Sequence, residues 1–191
     1  YCSLAMIDDA VGRITAELER LGLGRDTVVI FTSDHGDYMG DHQLMLKSSM
    51  HYQGLVRTPF IWADAALGAE VGGVRQQLTG AVDVARSILG RAQVAPADGM
   101  QGKDLNPMLQ DPLQATRDAL LIEDEDHRTP GWLGMRSRTR TLVTEHHRLS
   151  LYQAADWGEL YDLAEDPFEL NNLWERPEAA GLRAALTERL L

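Results

Sequence analysis

The run Thr27-Val28-Val29-Ile30-Phe31-Thr32 constrains this chain more than any other stretch. It is short, β-branched and apolar on both faces, the composition of a buried strand in a parallel sheet. Ahead of it, Leu4, Ile7, Val11, Ile14, Leu18 and Leu21 alternate spacings of three and four, which makes one stripe of an amphipathic helix. Ser3 is placed to cap that helix, Asp8 and Asp9 suit its early turns, and Gly22 and Gly24 stop it. A helix feeding a buried strand is the alternation of a doubly wound α/β fold.

Directly after the strand, from 33 to 56, periodicity disappears and polar residues, glycines and histidines take over. Open α/β sheets place their sites in such loops, at the C-terminal ends of strands. The loop opens with Ser33-Asp34-His35-Gly36-Asp37. A carboxylate and an imidazole on adjacent residues can reach one metal ion if the backbone turns sharply, which Gly36 permits. The competing expectation is a simple turn in which Asp34 bonds its own backbone. Lys47 lies on the same loop and could meet an anionic substrate oxygen. His42 and His51 are candidate proton donors, because an unperturbed imidazole titrates near neutrality. Arg57, at the entry to the next strand, is a candidate ion-pair donor near the site.

Further strands and helices follow at lower density. Residues 58–62 read as a second strand, 68–73 as a loop, and 78–89 as a strand end and then a helix with Val82, Ala85, Ile88 and Leu89 inward. Residues 96–112 form a connector rich in Pro, Gly and Asp. Beyond it, 119–122 reads as a strand and the acidic 123–126 as a solvated loop. Residues 132–138, 141–146 and 149–152 read as an antiparallel meander, 159–163 as a further strand, and 177–191 as a helix with Leu182, Leu186 and Leu190 on one face. This divides the chain at about 115. The expected fold is α/β: residues 1–115 are part of a sheet domain, and 116–191 are a small antiparallel α+β subdomain closed by a helix.

Composition removes several function classes. The chain has 191 residues with 44% hydrophobic and 25% charged, ordinary for a globular domain. Its net charge of -11 argues against a nucleic-acid surface, which needs clustered Lys and Arg. No apolar run approaches the roughly 20 residues of a membrane span. The single Cys2 excludes an internal disulfide and a zinc site built on two thiolates. Ser33 is not in a G-x-S-x-G elbow, and neither a Walker loop nor G-x-G-x-x-G occurs. His127 and the His146-His147 pair lack ligand spacing. The chain starts at Tyr1 without an initiator Met and runs at once into an amphipathic segment, so a C-terminal piece of a longer protein is expected; one cysteine and no visible leader lean toward the cytoplasm, with the periplasm open.

Residues 27–42, then Lys47, then Arg57-Thr58-Pro59-Phe60-Ile61, resemble the sulfatase family of the alkaline-phosphatase superfamily. The resemblance extends to residues 9–14, 82–85 and 99–105, and to Glu159-Leu160-Tyr161-Asp162-Leu163 with Asp166-Pro167, Glu169 and Asn172-Leu173. It implies a metal-dependent sulfuric-ester hydrolase with a small-molecule sulfate ester as substrate. A phosphonate or phosphate ester hydrolase of the same superfamily is the alternative, and a non-catalytic truncated module the third. By the same resemblance Asp34 and His35 are two metal ligands, Lys47 binds the transferred group, and Asp9, Asp83 and Arg57 are structural. The metal implied is one divalent ion, Ca²⁺, or Mn²⁺ for the phosphorus esters; a homo-oligomer is compatible. The family nucleophile is a formylglycine made within a C-x-P-x-R-type motif, and no such motif occurs in these residues, since Cys2 is followed by Ser3-Leu4-Ala5. The chain thus resembles about half of an active site, inactive in isolation.

Overall fold

A computed structural model describes residues 1–68, 72–114, 116–126, 137–153 and 155–191. The strand expected at 132–138 falls mostly outside them, as do His127 and part of the 68–73 loop.

Helix α1 (Cys2–Arg20) ends in a Schellman motif: Gly22 takes a left-handed φ of 70°, its N–H reaches the Glu19 carbonyl, and the Leu23 N–H reaches Leu18. Ser3 does not cap the helix, because the first turn already begins at Cys2, with Tyr1 at the cap position and no side-chain bond there. The apolar stripe is real, but no α1 residue is buried. Leu4, Ile7, Val11 and Leu18 instead line an open apolar groove with Phe31 and Ile61.

Strand β1 (Val29–Thr32) forms within the apolar run 27–32. Its partner is β2 (Phe60–Ala63), and the pair runs antiparallel, with Val29 opposite Ala63 and Thr32 opposite Phe60. The parallel pairing expected from its composition is corrected here. Nor is the strand buried: Val29, Ile30 and Phe31 are half-buried and Thr32 is exposed; an apolar run on both faces fixes neither burial nor strand direction. Between these strands the chain makes a 3-10 turn (Asp41–Gln43) and one short α-helix, α2 (Gln53–Val56).

Helix α3 (Val82–Arg91) reverses the expected inward face. Asp83 and Ser87, one turn apart, are its buried residues, while Val82 and Ile88 are about half exposed, at 51% and 46%. The reason is the connector that crosses it. Asp83 accepts the backbone N–H groups of Gly80 (2.9 Å) and Lys103 (2.7 Å) and pairs with Arg117. Ser87 Oγ accepts Leu105 N–H at 2.9 Å, and the Ser87 carbonyl accepts from Asn106. An irregular segment must place its backbone polar groups somewhere, and α3 offers side chains for them. The connector contains helix α4 (Asn106–Gln110).

The C-terminal half is a four-stranded antiparallel sheet in simple sequence order: β3 (Ala119–Asp126), β4 (Ser137–Thr144), β5 (His147–Tyr152) and β6 (Gly158–Asp162). Two boundaries differ from expectation. The acidic residues 123–126 continue β3 and do not form a loop: Glu123 pairs with Arg140 (2.9 Å) and Glu125 with Arg138 (2.7 Å) across the ladder. Strand β4 also runs unbroken through 139–140, with the reversal at Glu145-His146.

The two faces of this sheet bury different chemistry. Leu142, Leu149 and Leu160 form one face and pack with Ala179, Leu186 and Leu190 of the C-terminal segment, whose helix α5 spans Ala180–Leu190. The other face presents Thr139, Thr141, Arg148, Ser150, Glu159 and Tyr161, and all six are buried. Beyond β6, Asn172 continues the edge: its Oδ1 accepts Leu160 N–H at 3.0 Å and its Nδ2 donates to the Gly158 carbonyl.

Candidate active site

The turn after β1 aims its side chains by local bonding. Asp34 Oδ1 accepts the His35 backbone N–H at 3.0 Å, so the carboxylate does bond its own backbone, one residue on. It leaves the carboxylate 85% exposed. That N–H, and then the neighbouring imidazole, hold the Asp34 carboxyl below its ordinary range, so it stays ionised. His35 Nδ1 lies 2.6 Å from the Gly36 carbonyl, which can only accept. Nδ1 therefore carries the proton, and Nε2 presents its lone pair. Lys47 Nζ stands 2.6 Å from that lone pair, and Asp34 Oδ2 3.6 Å from it.

Gly36 is needed for close approach. A Cβ there would run into the Gly54 carbonyl oxygen of α2, and the Gly36 N–H donates to the Leu55 carbonyl at 2.7 Å. Arg57, at the C-terminal end of α2, is exposed. Asp34, His35, Lys47 and Arg57 thus line one broad cleft. Among the described residues Arg57 has no ion-pair partner.

His42 and His51 are placed differently. His42 does not line the cleft: its ring stacks on Tyr52 with centroids 3.7 Å apart. His51 is 4% exposed, with Nδ1 2.8 Å from Thr141 Oγ1. Burial, then the nearby Arg148 charge, draws its pKa down from 6.5 to about 4, with Glu159 opposing. The sign for stability follows directly. Between about pH 4 and 6.5 the unfolded chain takes up a proton that the folded chain refuses. Stability is complete above pH 6.5 and falls toward pH 4, by up to about 3 kcal/mol. Urea midpoints measured from pH 7.5 to 4.5 should show this loss, and His51→Gln should flatten it.

Sequence reasoning assigned no role to a cluster beneath the cleft. Arg148 is fully buried, with Nε bonded to Glu169 and Nη1 3.0 Å from Glu159 and 2.6 Å from Ser150 Oγ. Burial opposes its charge, but Glu169 and Glu159 prevail and hold the guanidinium pKa above its usual value. The guanidinium carbon stands 5.0 Å from the Tyr52 ring centre and 4.8 Å from that of Tyr161. Every carboxylate oxygen has a donor. Tyr52 and Tyr152 hydroxyls reach Glu159 at 2.7 and 2.8 Å, and the Gln53 N–H reaches Glu169 Oε2 at 2.7 Å. Burial and Glu159 raise both tyrosine pKa values, which keeps these hydroxyls as donors. The legible signal was a charged residue within the short strand His147–Tyr152, on the same face as Ser150 and Tyr152.

The donor set suits a metal half-site. An imidazole whose Nδ1–H is tied to a carbonyl, beside an ionised carboxylate, is the usual dress of a ligand pair. Among the described residues no group of three or more His, Cys, Asp or Glu could hold a metal, and no helix is long and apolar enough to cross a membrane.

The chain gathers a carboxylate, an imidazole and an ammonium after a strand, and comparison gives its family. Residues 40–191 match the family described as N-sulphoglucosamine sulphohydrolase, C-terminal. The chain belongs to that family, among the sulfatases of the alkaline-phosphatase superfamily. It is 24% identical to an ulvan-active sulfatase of Formosa agariphila, covering 100% of this chain and 37% of that protein. It is 28% identical to an arylsulfatase of Clostridium perfringens, covering 91% and 34%. The structure superposes on the phosphonate monoester hydrolase of Agrobacterium radiobacter with a TM-score of 0.86 at 28% identity, covering 97% of this chain and 38% of that one. The chain spans about a third of the length of the curated relatives it matches.

Proposed function

We propose that this chain contributes the metal and anion contacts of a sulfuric-ester hydrolase. The observation that carries the reading is the convergence of Asp34 Oδ2, His35 Nε2 and Lys47 Nζ at one end of β1, with the His35 tautomer set by Gly36. Asp34 and His35 would hold one divalent cation, with Ca²⁺ the first choice and further oxygen ligands supplied from outside these residues. When bound, the cation would polarise the ester oxygens. A cation on the His35 lone pair leaves the Lys47 ammonium free for an anionic ester oxygen, where it offsets charge that builds during transfer. Arg57, on the same cleft, adds positive charge to a chain of net charge -11. A nucleophile is required in addition, and a formylglycine in the whole gene product fits the family.

The superposition on a phosphonate monoester hydrolase supports a second substrate class, phosphonate or phosphate esters with Mn²⁺. The ratio of kcat/KM for an aryl sulfate to that for an aryl phosphate diester, measured on the whole gene product, separates the two. The site itself is tested by Asp34→Ala. Both bound metal, by elemental analysis, and turnover should be lost; normal turnover in this variant would overturn the reading.

A further inference from the structure

The cluster under the cleft reaches the cleft through a short series of direct contacts. Glu169 lies in the turn after Asp166-Pro167, with a left-handed φ of 56° that sends its side chain inward to 2% exposure. Its Oε2 accepts the first N–H of α2, from Gln53. Helix α2 returns the Leu55 carbonyl to the Gly36 N–H, and its Gly54 carbonyl lies against the Gly36 Cα. The Gly36 carbonyl in turn fixes the His35 ring. Tyr52, next to Gln53, is held by Glu159 through its hydroxyl and packs on Arg148 through its ring.

We propose that Glu169 is a positioning residue, which sets the His35 tautomer and ring orientation from the C-terminal sheet by way of α2 and Gly36. Arg148 holds the Glu169 carboxylate in place, and Glu159 with Tyr52 steadies the same segment. Glu169 touches neither substrate nor metal. The effect on turnover rests on the functional reading above; the effect on His35 does not.

The experiment uses the whole, metal-free gene product with ¹⁵N-histidine at pH 8, with His35 assigned by its loss in His35→Gln. Wild-type protein should show the Nδ1–H tautomer. Glu169→Ala, verified as folded by circular dichroism, should show a mixture of tautomers. With metal restored, kcat for an aryl sulfate should fall about 10- to 100-fold, the range seen when support behind a ligand is removed, with a smaller change in KM. Glu169→Gln keeps an acceptor for Gln53 and should recover most of both signals. Should Glu169→Ala not fold, Gln53→Pro takes its place, removing the N–H that Glu169 accepts at the first helical position, where proline is tolerated. Folded Glu169→Ala, or Gln53→Pro in its place, with the wild-type tautomer overturns the proposal, as does an unchanged kcat in that variant beside a lowered melting temperature. If the wild-type protein hydrolyses neither ester, the functional reading fails, and the tautomer still decides whether Glu169 positions His35.

Discussion

Arg148→Ala should lower the unfolding free energy by about 3–5 kcal/mol, the usual loss when one partner of a buried ion pair is removed. The loss comes mainly from what stays behind. Glu159 and Glu169 are 3% and 2% exposed, and without the guanidinium two carboxylates share one enclosure with only hydroxyl and backbone donors. The rings of Tyr52 and Tyr161 lose the cation they flank. Arg148→Lys should recover little of this. A single ammonium cannot serve Glu169 from Nε while serving Glu159 and Ser150 from Nη1. Urea denaturation of the whole protein checks both variants, and a loss below about 1 kcal/mol, the level of an exposed pair, would show that the cluster is solvated.

Gly36→Ala should act on both stability and turnover. The new Cβ would occupy the place of the Gly54 carbonyl oxygen, so the β1 end and α2 must move apart. Overpacking of this kind costs about 1–3 kcal/mol. The same shift breaks the Gly36–Leu55 bond and turns the carbonyl that fixes His35. Misplacing a reacting constellation by about 1 Å costs about 100-fold in rate, and kcat should fall by that order. Steady-state kinetics at a temperature where the variant is folded would test this. A wild-type kcat would mean that the turn tolerates the added carbon, and the close approach would lose its functional meaning.

Much of the candidate site was legible because its parts are neighbours in the chain. The β-branched run, the glycine after Asp34-His35 and the lysine on the same loop place three groups near one strand end by connectivity alone. Helix α1 and its stop at Gly22 were legible for the same reason, since a 3.6-residue stripe and a left-handed glycine are local signals. The direction of β1 was not local. Its partner β2 begins 28 residues after Thr32, at Phe60, and pairing sense depends on the path between them. The inward face of α3 was misread because burial there follows the backbone needs of a crossing connector, which outweigh side-chain hydropathy. In the acidic run at 123–126, Glu123 and Glu125 are solvated as expected, but the run is strand and not loop because β4 supplies a ladder partner with arginines opposite it.

His51, Tyr52, Gln53, Arg148, Glu159 and Glu169 were individually visible, and their association was not. The contact between Gln53 and Glu169 spans 116 residues, and that between Tyr52 and Glu159 spans 107. Alternation in an antiparallel meander ordinarily means an apolar face inward and a polar face in water. Here both faces are buried, one by α5 and the other by the segment that follows the Asp34-His35 turn. By itself the sequence determined the local elements, the family and the residues at the β1 end, because periodicity, turn chemistry and short spacings act within a few residues. Only the tertiary structure decided that Arg148 and its two glutamates lie beneath those residues, because burial belongs to surfaces that meet across the fold.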